Sequence, residues 1–289
     1  MPTPRIDAHH HLWRYSQKEY PWIDETMQVL RQDFTPAQLG EELCRLQIEG
    51  AIAVQARESI EETEMLLTAA HTSAWIYGVV GWLPLGSSEF DAALERFRAD
   101  ELFVGVREMT QSKAQGFLDQ SSIDHGIAAL TEASLSFDLI LRADQMQEAA
   151  RLADRHPQQR FVLDHAGKPR IRSGEFEPWA TDLRELAKRS NVACKISGLA
   201  TEAPWTSWTE DQLRPYLDVC VEAFGPQRLI AGSDWPVCLL ASSYERWWQT
   251  LESYFSTFSA EEKSVIFGRT AIEIYGLSQV LSGKTEVVA

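Results

Sequence analysis

Eight short β-branched runs alternating with helical patterns over 289 residues predict a single (β/α)8 (TIM) barrel. The runs are almost continuously apolar, as strands buried on both faces must be. No linker-like composition shift, repeat or low-complexity tract breaks the chain, so it reads as one domain over 1–289. A doubly wound open sheet is the alternative, but it usually carries a Gly-rich first turn, whereas the first run here ends in histidines.

In order, the runs are RIDAH (5–9), GAIAVQA (50–56), IYGVVGWL (76–83), FVGVRE (103–108), FDLILR (137–142), RFVLDH (160–165), VACKIS (192–197) and RLIAGS (228–233). Thr35-Pro36 predicts the first helix start, with the hydroxyl as N-cap and proline at the first helical position. That helix continues AQLGEELCRLQI, with Gly50 as its stop signal. Ser59 with Glu62 three residues on predicts a capping box before MLLTAA. Further helices are expected at 89–99, 121–134, 144–155, 177–189, 209–224, 242–257 and 260–275. The tail from about 278 lacks periodicity and reads as peripheral. Two segments interrupt the simple repeat: 12–34, with Trp13, Tyr15, Tyr20 and Trp22, and the aromatic loop 198–208. Both follow strands, so both belong to the C-terminal rim, where barrels of this kind place their chemistry.

The 27 Lys and Arg against 42 Asp and Glu leave a formal charge of −15, which argues against a nucleic-acid partner. With 12 Phe, 10 Trp and 7 Tyr the chain has ample apolar surface to bury, which excludes intrinsic disorder. No run approaches the roughly 20 apolar residues of a membrane span, and the N-terminus has no apolar stretch of signal-peptide type. Cys44, Cys194, Cys220 and Cys238 form no C-x-x-C pair and read as reduced thiols of a cytoplasmic protein.

Asp7-Ala8-His9-His10-His11 is the most informative stretch. Alternation along a strand turns His9 and His11 to one side and His10 to the other. Two such imidazoles can bind one metal ion or one polar substrate atom. His165 ends an apolar strand and so reaches the same rim, whereas His71, His125 and His156 read as structural. Asp234 follows LIAGS; facing inward with Ile230 and Gly232, it could accept a proton from water and return it to a leaving oxygen. The bland alternative is a helix N-cap. Arg107, sharing a face with Phe103 and Gly105, suits a carbonyl oxygen or product carboxylate, against the alternative of a structural ion pair.

Taken together, IDAHHHLW (6–13), YPWI (20–23), VQA (54–56), GVR (105–107), LDHAGKP (163–169), KISGL (195–199), GSDWPV (232–237) and IFGRTAIEIYGL (266–277) resemble the amidohydrolase superfamily, amidohydrolase 2 type. They are most similar to its sugar-lactonase branch of fuconolactone and rhamnonolactone hydrolases. The resemblance implies a barrel that opens cyclic esters of sugar acids, with His9, His11, His165 and Asp234 as the catalytic set and Arg107 assisting. Two-metal members of the superfamily place a histidine on the fifth strand; FDLILRADQ has none, which argues against two metals here. One divalent ion, zinc, held by His9, His11, His165 and Asp234, and metal-free catalysis both stay open. Glu108 is a further ligand candidate only if its strand bulges, since alternation turns it from the Arg107 side.

The expected partner is a small-molecule sugar lactone, with Trp13, Trp22 and Trp235 stacking on the ring and Gln55 and Lys168 reaching its hydroxyls. Two other functions compete: a metal-dependent decarboxylase or lyase on the same barrel, and a non-catalytic sugar-acid-binding protein. The second gives no reason to gather three imidazoles and a carboxylate at one rim.

Overall fold

The computed structural model describes residues 3–281. Its eight strands are β1 Ile6–His10, β2 Gly50–Val54, β3 Ile76–Gly81, β4 Phe103–Glu108, β5 Ser136–Leu139, β6 Phe161–Leu163, β7 Val192–Ile196 and β8 Leu229–Ala231. All run parallel in the order β1 to β8, and every strand residue is buried, as the apolar runs require of a sheet covered on both faces. Helices α1 Pro36–Arg45, α2 Ile60–Thr72, α3 Phe90–Phe97, α4 Ser121–Glu132, α5 Met146–Arg155 and α6 Trp179–Ala187 follow the first six strands in turn. After β7 come α7 Leu199–Glu202 and α8 Glu210–Phe224, and after β8 comes α9 Tyr244–Tyr254. A last helix breaks into α10 Ala260–Ser264, a π-turn Val265–Arg269 and α11 Thr270–Tyr275. This is a (β/α)8 barrel. Among the described residues no helix is long and apolar enough to cross a membrane.

The barrel closes between β8 and β1 just where the polar residues lie. Trp235 bridges His10 in parallel, His11 N–H donates to the Trp235 carbonyl at 2.6 Å, and Asp234 N–H donates to the His9 carbonyl at 2.8 Å. The Asp7 carboxylate accepts from Ser233 N–H (2.8 Å), Ser233 Oγ (2.6 Å) and Tyr244 Oη (3.0 Å), stapling the same seam to α9.

Local chemistry differs from expectation at several points. Gln38 accepts from the Thr35 N–H and hydroxyl at the start of α1, but the helix ends at Arg45 and turns through Gln47 at φ 53. Gly50 opens β2 and does not stop α1; a Cβ there would overlap the Tyr77 ring. Ser59 does cap α2 by accepting from Glu62 N–H, yet the Glu62 carboxylate is drawn to the amides of Ala56 and Arg57, both 2.9 Å away, so the box is not reciprocal. The 198–208 segment contains a helical turn, α7. Of the expected tail, 278–281 form a helical turn that buries Val280, and the rest lies outside the described residues.

Candidate active site

At the C-terminal rim three imidazoles and one carboxylate converge. His9 Nε2 lies 3.3 Å from His11 Nε2, and the His9 and His165 rings stand 4.5 Å apart. Asp234 Oδ1 is 3.3 Å from His11 Nε2, 3.8 Å from His9 Nε2 and 3.9 Å from His165 Nε2. His9, His11 and Asp234 thus bring their ligand atoms together, with His165 beside them grouped with His9 and Asp164, but not through simple strand alternation. β8 ends at Ala231, and Asp234 enters the site from a left-handed turn at φ 61, held by its amide bond to His9. His165 also lies beyond its strand, at φ 53 in a turn where Ala166 and Lys168 are left-handed too. Such conformations are strained for non-glycine residues and are kept where surrounding bonds fix them. Here Ser197 Oγ, 2.9 Å from His165 Nδ1, is one of those bonds.

The electrostatics set the protonation states. Burial pushes His9 well below the ordinary imidazole value and His165 down to about 4, so both are neutral at physiological pH. Burial alone would raise Asp234, but His165, His11 and Lys168 outweigh it and hold the carboxyl below its usual range. A neutral imidazole with a free nitrogen and an ionised carboxylate are what a cation requires of its ligands.

The donor set fits a divalent ion. His11 Nδ1 lies 2.7 Å from the Val54 carbonyl, which can only accept, so Nδ1 carries a proton and Nε2 is the nitrogen turned to the cluster. A tetrahedral zinc with bonds of roughly 2.0–2.1 Å sets its ligands roughly 3.3–3.4 Å apart; His9–His11 and His11–Asp234 match that spacing, and His9–Asp234 and His165–Asp234 are a few tenths wider.

The other expected residues are placed less uniformly. Arg107 reaches the site from below, not across its mouth. Its NH1 donates to Asp164 Oδ2 at 2.9 Å and lies 3.3 Å from His9 Nε2, while NH2 donates to the Gln55 carbonyl. Phe103 does not share its face: a register irregularity between Phe103 and Gly105 intervenes, and the Phe103 ring packs on Phe97 of α3. Glu108 stays off the site as alternation requires, its carboxylate 3.2 Å from Lys113 Nζ and 3.4 Å from Trp82 Nε1. Gln55 donates through Nε2 to the Arg107 carbonyl, and among the described residues its buried Oε1 has no partner. Trp13 and Trp235 are buried, Trp13 stacked on His11 at 6.4 Å and Trp235 edge-on to Phe34. Trp22 is half-buried, with Nε1 donating to the Ala56 carbonyl. Lys168 stands at the rim, about a quarter exposed, 3.8 Å from Glu202 of α7. His71, His125 and His156 pair with Asp100, Asp91 and Asp124 away from the site.

Beneath His9 lies a charged layer that sequence reasoning missed. Lys195 Nζ is 2.6 Å from Asp138 Oδ2, 3.1 Å from Asp164 Oδ1 and 3.3 Å from His9 Nδ1. Tyr275 Oη of α11 donates to Asp138 Oδ2 at 2.7 Å. Burial would raise Asp164, but Lys195, His9 and Arg107 hold its carboxyl well below the usual range. The available signal was a charged residue inside or closing an apolar run: Asp138 in FDLIL, Asp164 in RFVLDH and Lys195 in VACKIS. A separate cavity of about 470 Å³ at the other end of the barrel, lined by Pro4, Arg5, Glu252, Lys263 and Phe267, gathers no imidazole or carboxylate cluster of this kind.

Comparison with known proteins places the chain in a family. A family model described as amidohydrolase matches residues 6–277. The chain is 38% identical to an L-fucono-1,5-lactonase of Burkholderia multivorans, over 96% of this chain and 98% of that protein. It is 34% identical to an L-fucono-1,5-lactonase of Burkholderia ambifaria, over 96% and 97%. A crystal structure of a Burkholderia multivorans amidohydrolase with bound zinc superposes with a TM-score of 0.90 at 38% identity, covering 94% of this chain and 99% of that one. The chain therefore belongs to the amidohydrolase family.

Proposed function

We propose that this protein is a cytoplasmic lactonase that opens a sugar-acid lactone of the L-fuconolactone kind by attack of water on the ester carbonyl. The observation that carries the reading is the Asp234 carboxylate set 3.3–3.9 Å from three imidazoles. The names of the two lactonase relatives support the substrate class. Free cysteines, three of them buried, suit the cytoplasmic assignment.

Asp234 takes a proton from water as the water oxygen bonds to the lactone carbonyl carbon. It then returns that proton to the ring oxygen as the C–O bond breaks, giving the open hydroxy acid. Its Oδ1 faces the imidazoles, which leaves Oδ2 as the oxygen that handles the proton. His9, His11 and Asp234, with His165 beside them, would hold a zinc ion, which when bound supplies Lewis acidity toward the carbonyl oxygen and a lowered pKa for water. Lys168, at the rim and only loosely paired with Glu202 at 3.8 Å, is left to meet charge developing on the substrate, because Arg107 is committed to Asp164 and Gln55. Among the three expected tryptophans, half-buried Trp22 is the one with surface left for a sugar ring, since Trp13 and Trp235 are buried.

Acid release, followed with a pH indicator across a panel of aldonolactones and paired with metal analysis of the purified protein, tests this. One equivalent of acid per lactone opened is expected, together with about one zinc per chain. Decarboxylation of aromatic acids with no lactone turnover would overturn the reading in favour of a lyase.

A further inference from the structure

The hydrolytic step gives no work to Lys195, Asp138 or Tyr275, yet all three are buried in the barrel interior. Buried ion pairs are a poor device for stability, since desolvation offsets most of their attraction. Their position suggests another role, because the side chain directly above them is His9.

His9 Nδ1 faces two groups that demand opposite tautomers. The Lys195 ammonium, 3.3 Å away, can only donate; if it bonded Nδ1, the ring proton would sit on Nε2 and block that nitrogen as a ligand. The Asp164 carboxylate, 3.4 Å away, can only accept; if it bonded Nδ1–H, Nε2 would be bare toward His11 and Asp234. On the far side of the ring, Arg107 NH1 lies 3.3 Å from Nε2 and can only donate, so it favours the same bare Nε2. Asp164 Oδ1 also draws the ammonium, at 3.1 Å. Asp138 adds the strongest hold on that ammonium. It lies closer to the ammonium than His9 does, 2.6 against 3.3 Å, and Tyr275 Oη fixes the same carboxylate oxygen at 2.7 Å.

We propose that Asp138 and Tyr275 are positioning residues that hold Lys195 off the His9 ring, so that Asp164 takes the Nδ1 proton and Nε2 is presented to a divalent ion. The proposal deepens the zinc reading above and rests on it for its consequence, though the tautomer itself is a property of the metal-free protein.

The test uses the full chain and two readouts besides activity. Zinc affinity is measured by competition with a chromophoric chelator, and the His9 tautomer by 15N chemical shifts of the metal-free protein. In Asp138→Asn the freed ammonium should turn to His9, moving its proton to Nε2 and weakening zinc binding by about 10–100-fold. The double variant Asp138→Asn/Lys195→Met lacks the competing ammonium and should recover zinc binding to within about threefold of wild type. A general structural role predicts that the double variant is at least as impaired as the single one, and that result would overturn the proposal. So would an unchanged His9 tautomer in Asp138→Asn. Should that variant fail to fold, Tyr275→Phe keeps the ion pair and removes one hydrogen bond; it should weaken zinc by about threefold or more, and an unchanged affinity overturns the proposal. A wild-type protein that binds no zinc but carries the Nδ1–H tautomer, lost in Asp138→Asn, would refute the metal reading and leave the tautomer lock standing.

Discussion

Lys168 shows how a single charge acts on this site without touching its centre. Its ammonium lowers both Asp234 and His165, so removing it lets both rise. In Lys168→Met the acid limb of the kcat/KM profile should therefore move to higher pH, and kcat/KM at pH 7 should fall about tenfold, or roughly 1.4 kcal/mol. A pH–rate profile on a lactone substrate checks both effects; an unmoved limb would remove Lys168 from the site. At this scale the sequence was only partly legible. His9, His11, His165 and Asp234 could be picked out because polar residues at the ends of apolar runs are conspicuous. The direction of Arg107 could not, because it depends on a register irregularity in β4 and on Asp164, a residue 57 positions away.

Turns, more than strands, deliver the candidate site groups. Asp234 and His165 both lie past the last residue of their strands, in left-handed conformations that a period-two reading of LIAGSD or RFVLDH does not contain. Gly198 makes room for them. It sits at φ 65, and a Cβ on it would come within 2.6 Å of His165 Nδ1 and 3.2 Å of Asp234 Oδ2. Gly198→Ala should thus cost about 1 kcal/mol in backbone strain and, by displacing His165, lower kcat at least about tenfold. Melting temperature and kcat measured together would show it; a fall in stability with full activity would mean that His165 tolerates displacement. The buried layer of Asp138, Asp164 and Lys195 was visible in the sequence only as three charged residues inside or closing apolar runs. That they meet one another and His9 follows from closing the barrel, which no local pattern encodes.

The whole molecule carries buried groups that titrate against each other. His10 is fully buried on β1, and burial, only partly offset by the Ile52 backbone, lowers it from 6.5 to about 3. Its folded value lies below its unfolded one, so the stability it permits is complete above pH 6.5 and is lost as pH falls from 6.5 toward 3. Glu62 has the opposite sign. Burial lifts it from 4.5 to about 7, so its contribution is complete below pH 4.5 and is lost as pH rises through 7. Together they predict a thermal-stability maximum slightly on the acid side of neutrality. His10→Leu should flatten the acid limb, by roughly 2 kcal/mol at pH 5, and melting curves from pH 5 to 8 would measure it. An acid limb unchanged in His10→Leu would assign the effect to other groups. The architecture was the most legible part of the sequence, because strands buried on both faces leave long apolar runs and eight of them alternate with helices.

The most direct measurement is the steady-state rate of Asp234→Asn against wild type on L-fucono-1,5-lactone, with kcat and KM determined separately. If Asp234 moves the proton between water and the ring oxygen, kcat should fall about 10²–10⁴-fold while KM stays within a few-fold of wild type. A variant that still turns over at close to the wild-type rate would contradict the account.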